Sequence, residues 1–118
     1  MNMNTDLFEK LRSVGVLIDD TTRRLGNIKT YEKFLLLFPD DKTIYELRNN
    51  LERHDTEKAF LSAHTLKGLA SSLGLTPVTE LAAEMTELLR IGRLDEATEL
   101  MDMLFDNYTI IIDIIEAE

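Results

Sequence analysis

Residues 63–74, AHTLKGLASSLG, place a histidine, a lysine and a glycine within little more than one helical turn: His64, Lys67 and Gly68. Helical residues three or four positions apart are neighbours, with roughly 5–6 Å between their Cβ atoms. Lys67 can therefore reach a group attached to the imidazole of His64. Its positive charge would compensate the roughly two negative charges of a phosphoryl group. The alternative interpretations are an ordinary surface histidine and a solvated lysine.

The side of the helix on which these residues lie follows from the apolar positions around them. Five such positions recur at spacings of 4, 3, 4 and 3 residues, namely Ala59, Ala63, Leu66, Ala70 and Leu73. This spacing is typical of the buried seam of a helical bundle, and its alanines allow neighbouring helices to pack closely. Because each residue turns the helix by about 100°, His64 is predicted to face away from the core.

Other residues on the outward arc suggest that a second protein docks here. They are Phe60 and Leu61, one turn before His64, and Gly68 and Ser71, after it. Glycine costs a helix roughly 1 kcal/mol relative to alanine, and core packing does not explain Gly68 on an exposed face. Its bare backbone would let a partner approach the imidazole. Phe60 and Leu61 are large apolar groups on a polar arc, which favours docking; partial burial against the N-terminal helices is the alternative.

The composition describes a folded acidic protein without thiol chemistry. The chain has 118 residues, 44% of them hydrophobic and 30% charged, a formal net charge of -9 and no cysteine. Disulfides, zinc–thiolate sites and cysteine catalysis are therefore excluded. The negative charge argues against nucleic acids and anionic membranes as partners. With neither a signal-peptide pattern nor an apolar run of membrane-spanning length, we expect a cytoplasmic monomer that forms one domain over residues 1–118.

Two short helices are predicted in about residues 6–25, packed over one end of the main bundle. The first covers residues 6–14 and ends near Gly15. The second begins with helix-capping residues, Asp19, Asp20 and Thr21, and ends at Gly26. Glycine is favoured directly after the last residue of a helix, because it adopts left-handed backbone angles without steric cost.

The first segment of the main bundle begins at Ile28 and is interrupted at Pro39. Its apolar positions follow helical spacing and are Ile28, Tyr31, Phe34, Leu35 and Phe38. Proline lacks a backbone N–H and disfavours helical angles at the preceding residue, so a kink or short turn is predicted there. The helix resumes with Thr43 and Glu46, which stand three apart as a capping box.

Three further helices complete a bundle over about residues 28–117. One runs from Asp55 or Thr56 to Leu73, and the next begins with Thr76 as its N-cap and ends at Gly92. The last is predicted as one regular helix over residues 94–115, since its apolar residues alternate in steps of 3 and 4. The predicted fold is all-α: an antiparallel up-down four-helix bundle with short N-terminal helices packed over one end.

The remaining candidates for chemistry have simpler interpretations. His54 lies at a helix junction without a glycine at helical spacing, and no metal-ligand spacing is present. Glu80, Glu84 and Glu87 share a face that we interpret as solvated. No glycine-rich phosphate loop occurs, so the chain is not expected to be a kinase.

Residues 64–74 match the signature H-x-L-K-G-x-A-x-x-L-G, and in this the chain resembles histidine-containing phosphotransfer (HPt) domains. Residues 15–38, 43–53 and 81–90 also stand where that family places its helical elements. The chain departs from the family at Pro39, where many members continue a single helix.

The resemblance implies a phosphocarrier without a kinase active site of its own. His64 Nε2 would accept a phosphoryl group from a receiver aspartate or a histidine kinase and pass it to a receiver aspartate. From the helical spacing described above, we expect Lys67 to compensate its charge and Phe60, Leu61, Gly68 and Ser71 to contact the partner, which the resemblance implies is a response-regulator receiver domain or a hybrid histidine kinase. No cofactor is expected on the chain itself, because magnesium would belong to the receiver.

Two other hypotheses remain. The first is a helical bundle that binds a partner through the His64 face without accepting phosphate. The second is a small enzyme with a general-base histidine, which the solvent-facing position disfavours, since catalysis prefers a pocket.

Overall fold

The computed structural model describes residues 4–117, which fold into helices joined by short connections; the first three residues and Glu118 of the predicted domain lie outside this range. The helices are α1 (Asn4–Ser13), α2 (Ile18–Leu25), α3 (Ile28–Leu37), α4 (Thr43–Glu52), α5 (Thr56–Ser72), α6 (Thr76–Arg90), α7 (Leu94–Glu99) and α8 (Met101–Glu116). A 3₁₀ turn, Phe38–Asp40, follows α3. No strand occurs between residues 4 and 117, which confirms the all-α prediction.

The core is formed by the apolar stripes of the long helices. α5 packs along both α4 and α6, and α6 also contacts α8. All five residues of the predicted α5 seam are buried: Ala59, Ala63, Leu66, Ala70 and Leu73. The resulting helical bundle measures 49 × 25 × 21 Å, while the up-down antiparallel order of its helices stays a prediction. No helix of residues 4–117 combines the length and apolarity needed to cross a membrane.

The N-terminal helices are joined to the bundle near the turn between α5 and α6. α1 packs against α8, and its residues Leu7 and Leu11 are buried in the core. α2 lies beside α3, and the Leu17 N–H, just before α2, donates to the Gly74 carbonyl oxygen at 2.9 Å. Residues 4–25 therefore add apolar surface to the same core.

The starts of α2 and α6 differ from the prediction. Leu17 occupies the N-cap of α2, so Asp19, Asp20 and Thr21 lie inside the helix. The N-cap of α6 is Leu75, and Thr76 is already helical. Leu75 is fully buried; burying a leucine is worth roughly 1.5–3 kcal/mol, against roughly 1 kcal/mol for a good cap. Core packing thus outweighs the local capping signal at α6.

The start of α4 also differs from the predicted capping box. Thr43 is the first helical residue and is buried, and Lys42 precedes it. The Asp41 carboxylate accepts a hydrogen bond from the Thr43 N–H at 2.8 Å. The predicted pairing of Thr43 with Glu46 was therefore wrong, because Asp41 supplies the acceptor.

The predicted final helix is divided at Leu100 into α7 and α8. The Thr98 hydroxyl donates to the Leu94 carbonyl oxygen at 2.9 Å, a contact that bends helices. The Leu100 N–H bonds the Ala97 carbonyl oxygen, three residues back. The apolar stripe continues through the break, so burial is kept although the helix is interrupted: Ala97, Met101, Leu104, Tyr108, Ile111 and Ile115 are all buried.

The stripe of α3 is only partly buried. Tyr31, Leu35 and Phe38 lie in the core as predicted, whereas Ile28 and Phe34 are exposed. Phe34 lines an open, largely apolar groove of about 330 Å³ between α3 and α5. The helix ends at Leu37 and Pro39 lies in the 3₁₀ turn, which confirms the predicted interruption.

Candidate functional site

α5 is held in a fixed orientation by its start and by its small buried residues. The Asp55 carboxylate accepts a hydrogen bond from the Lys58 N–H at 3.0 Å and caps the helix. Asn50 on α4 donates its side-chain N–H to Ser62 Oγ at 3.0 Å. Ala59 and Ala63 have no exposed surface, so α5 lies close to its neighbours. His64 consequently faces solvent, as the seam predicts.

The imidazole of His64 lies parallel to the ring of Phe60. The two ring centroids are 6.1 Å apart and the planes meet at 10°. Phe60 is half-buried, packs against the core and lines a cleft with Leu89, Arg90 and Gly92. These residues belong to the end of α6 and the turn after it. The alternative prediction, burial against the N-terminal helices, therefore named the wrong neighbour.

Leu61 and Ser71 lie on the outward side, as the sequence predicted. Leu61 is a large apolar side chain that is 57% exposed, and Ser71 is exposed one turn beyond Lys67. Phe60 and Leu61 are adjacent in sequence, yet the Phe60 side chain packs against the core and the Leu61 side chain projects into solvent.

Lys67 stands one turn after His64 and is half-buried. Between residues 4 and 117 its ammonium group forms no salt bridge. Residues three apart on a helix are neighbours, so the charge of Lys67 is available to an anion bound at His64.

The part of the chain that the structure describes gives no reason for residue 68 to be glycine. The other glycines, Gly15, Gly26, Gly74 and Gly92, have positive φ angles at helix ends, whereas Gly68 does not. A Cβ atom at Gly68 would meet no heavy atom of residues 4–117 within 4 Å. Neither backbone conformation nor packing therefore requires glycine at this position.

The C-terminal end of α5 accepts hydrogen bonds from Tyr31 and Arg24, two residues that the sequence did not mark as candidates. Tyr31 donates its hydroxyl hydrogen to the Leu73 carbonyl oxygen at 2.6 Å. Arg24 donates to the carbonyl oxygens of Ser71 and Ser72 at 3.3 and 3.4 Å. A cation is favoured at a helix C-terminus, where carbonyl groups lack helical partners. Local sequence patterns could not reveal these contacts, since the partners are more than forty positions apart.

Within residues 4–117, no three histidine, aspartate or glutamate side chains come together in the manner of metal ligands. His54, the second histidine, adopts a left-handed conformation with φ of 56° two residues after the end of α4. It is exposed and ends the helix, as its position at a junction predicted. The two histidines therefore occupy different settings, one at a helix end and one in the middle of a helix.

The sequence model of the Hpt domain family matches residues 39–117, about two thirds of the chain. The chain belongs to the Hpt domain family. Comparisons with curated proteins and with solved structures returned no match. Hpt domains are phosphotransfer carriers, not kinases, and work with receiver domains or kinases in phosphorelays. The matched range contains α4 to α8 and so includes the His64 face of α5.

Proposed function

We propose that His64 is the phosphoryl-accepting residue of this Hpt domain. The observation that carries the proposal is the surface around it: an exposed imidazole in the middle of α5, beside a glycine that the fold does not require. His54 lacks both features, because it closes a helix in a left-handed conformation. Lys67 adds a positive charge one turn from His64, where a phosphoryl group would need it.

In the proposed reaction, the lone pair of His64 Nε2 attacks the phosphorus atom of a receiver's aspartyl phosphate. An N–P bond forms, the P–O bond to the aspartate breaks, and the carboxylate leaves with the bonding electron pair. The imidazole gains a positive charge that it loses by releasing its Nδ1 proton to water. A phosphoramidate is a high-energy bond, so the reverse reaction can phosphorylate a second receiver. Positioning and charge compensation supply most of the catalysis in phosphoryl transfer.

The chain's own contributions are an accessible nucleophile, a nearby cation and a docking surface. We assign the docking surface to Leu61, Gly68 and Ser71, since all three are exposed on the side of α5 that carries His64. Gly68 would let the partner's backbone come close to the imidazole. The magnesium ion would lie on the receiver, next to its aspartate.

The decisive experiment is incubation with phosphorylated receiver domains, followed by measurement of acid-labile, base-stable label on the chain. The native chain and the control His54→Gln should take up label, whereas His64→Gln should remain folded and take up none. Equal labelling of His64→Gln would contradict the proposal. Binding of receivers without label on the native chain would support the interaction-only alternative.

The role of Lys67 can be separated from folding with a matched lysine on the same helix. Lys67→Gln should slow transfer roughly tenfold, the effect of losing about 1.4 kcal/mol of charge stabilisation. Lys58→Gln removes an exposed lysine more than one turn before His64 and should leave the rate unchanged. Equal rates of phosphoryl transfer in the two variants would show that Lys67 has no role in the reaction.

A further inference from the structure

Phe60 and His64 form an aromatic pair in which the Phe60 side chain is half-buried and the His64 side chain is exposed. They stand four residues apart on α5, and their rings are parallel within 10° at a centroid distance of 6.1 Å. This is the range in which aromatic rings attract each other. His64 is exposed, so nothing else described around its ring encloses it. Phe60 is therefore the neighbour best placed to restrict the imidazole.

Phe60 itself is anchored. Its ring is half-buried, packs against the core and borders the cleft formed with Leu89, Arg90 and Gly92. A side chain that packs against the core beside the end of α6 rotates less freely than an exposed one. Leu61, its neighbour in sequence, is 57% exposed and has no such support. The two apolar residues before His64 are thus suited to different tasks.

We propose that Phe60 is a positioning residue, which holds the imidazole of His64 in one orientation for phosphoryl transfer and does not dock the partner. The proposal rests on the assignment of His64 as the phosphoryl acceptor. An exposed histidine samples several rotamers, and reaction requires the one that aims its nitrogen at phosphorus. Aromatic pairing of ordinary strength enriches one rotamer roughly two- to tenfold.

The test replaces the ring while keeping an apolar group in the cleft. In Phe60→Leu, the rate constant of transfer from a saturating phosphorylated receiver should fall roughly two- to tenfold, with an unchanged KM. Phe60→Tyr retains the ring and should restore the native rate. The NMR signals of the His64 ring protons should lose their ring-current shift in Phe60→Leu and keep it in Phe60→Tyr. Leu61→Ala should instead raise KM and leave these signals in place.

Each other outcome has a definite meaning. A raised KM with an unchanged rate constant in Phe60→Leu would make Phe60 a docking residue and overturn the positioning role. Equal rates and equal ring-proton shifts in the native chain and Phe60→Leu would overturn it as well. If the native chain takes up no label at all, the assignment of His64 as the phosphoryl acceptor is wrong, and the positioning role of Phe60 falls with it. This outcome differs from a labelled native chain whose Phe60→Leu variant behaves the same, so the two failures can be told apart.

Discussion

At the scale of single residues, Gly68 is the position where stability and function are expected to oppose each other. Its backbone has no positive φ, and a Cβ atom would meet open space. Alanine is favoured over glycine by roughly 1 kcal/mol in a helix. The native residue therefore leaves α5 less stable than it could be, at the point where the proposed partner would approach His64.

Gly68→Ala should raise the free energy of unfolding by roughly 1 kcal/mol and slow phosphoryl transfer, because the added methyl group stands between the partner and the imidazole. Urea unfolding and the labelling rate measure the two effects. Thr65→Ala is the control, since it also improves helix propensity at an exposed α5 position but is not assigned to the docking surface. A Gly68→Ala protein that transfers at the native rate would show that the bare backbone has no role.

The outward position of His64 and the buried seam of α5 could be predicted from residue spacing, because a helix fixes the direction of every side chain. The stacking of Phe60 on His64 could not. Both residues lie one turn apart on the predicted arc, but the orientation of a ring depends on what packs behind it. For Phe60 that support comes from the end of α6, which local spacing does not encode.

At the scale of helices, Gly74 joins α5, α6 and the N-terminal helices. Its φ is +70°; the Gly74 N–H bonds the Ser71 carbonyl oxygen and the Leu75 N–H bonds that of Ala70. This pair of bonds is the Schellman motif, which ends helices at a left-handed residue. A Cβ atom at Gly74 would overlap the buried Thr21 hydroxyl and lie 2.9 Å from the Leu17 carbonyl oxygen.

Gly74→Ala should destabilise the protein by about 2 kcal/mol more than Gly26→Ala. Both glycines have similar positive φ angles, of 70° and 77°, so both variants carry the backbone cost of a left-handed alanine. Only Gly74 is also crowded by α2, and overpacking typically costs 1–3 kcal/mol. Urea denaturation of the two variants gives the difference directly. Equal losses would mean that α2 moves aside without cost.

Helix ends marked by glycine could be predicted, and several helix starts could not. Gly15, Gly26, Gly74 and Gly92 all close helices at positive φ, as expected. The starts of α2, α4 and α6 are preceded by Leu17, Lys42 and Leu75, none of which makes a side-chain capping bond. At α4 the Asp41 carboxylate supplies the acceptor instead, and at α6 the core takes in Leu75; the residues predicted as caps indicate neither.

At the scale of the whole molecule, buried tyrosines make the fold sensitive to alkali. Burial raises the pKa of Tyr31 to about 12, and burial, with nearby Tyr45, Asp41 and Glu116, raises the pKa of Tyr108 to about 12. The ordinary pKa of tyrosine is about 10. The folded state therefore holds both protons more tightly, and this stability is complete below pH 10 and is lost between pH 10 and 12.

Raising the pH from 8 to 11 should lower the free energy of unfolding by about 1 kcal/mol for each of these tyrosines. Tyr31→Phe should lose roughly 1 kcal/mol at pH 8, since the Leu73 carbonyl oxygen loses its donor, and should show a smaller change up to pH 11. Urea titrations at both pH values provide the measurement. The same alkaline loss in native and Tyr31→Phe proteins would contradict the assignment.

The net charge is confined to one part of the chain. Residues 76–118 contain eleven acidic and two basic residues, and residues 1–75 contain eleven of each. Every acidic residue described in α6, α7 and α8 is exposed. The negative charges on α6, α7 and α8 repel an anionic partner. α5 instead lies within residues 1–75, whose acidic and basic residues are equal in number. An acidic partner is thereby favoured to approach His64 from the side of α5.

The tie between the N-terminal helices and the end of α5 has a consequence for how the chain can be divided. The stretch recognised as Hpt begins at Pro39, but Leu7, Leu11, Ile18, Tyr31 and Leu35 are buried in the same core. A fragment excised at the family boundary would expose their partners and remove the Tyr31 hydroxyl donor of the Leu73 carbonyl oxygen and the Leu17 N–H donor of the Gly74 carbonyl oxygen. The matched stretch is therefore shorter than the packed core, and a fragment that keeps this core intact should include α1, α2 and α3.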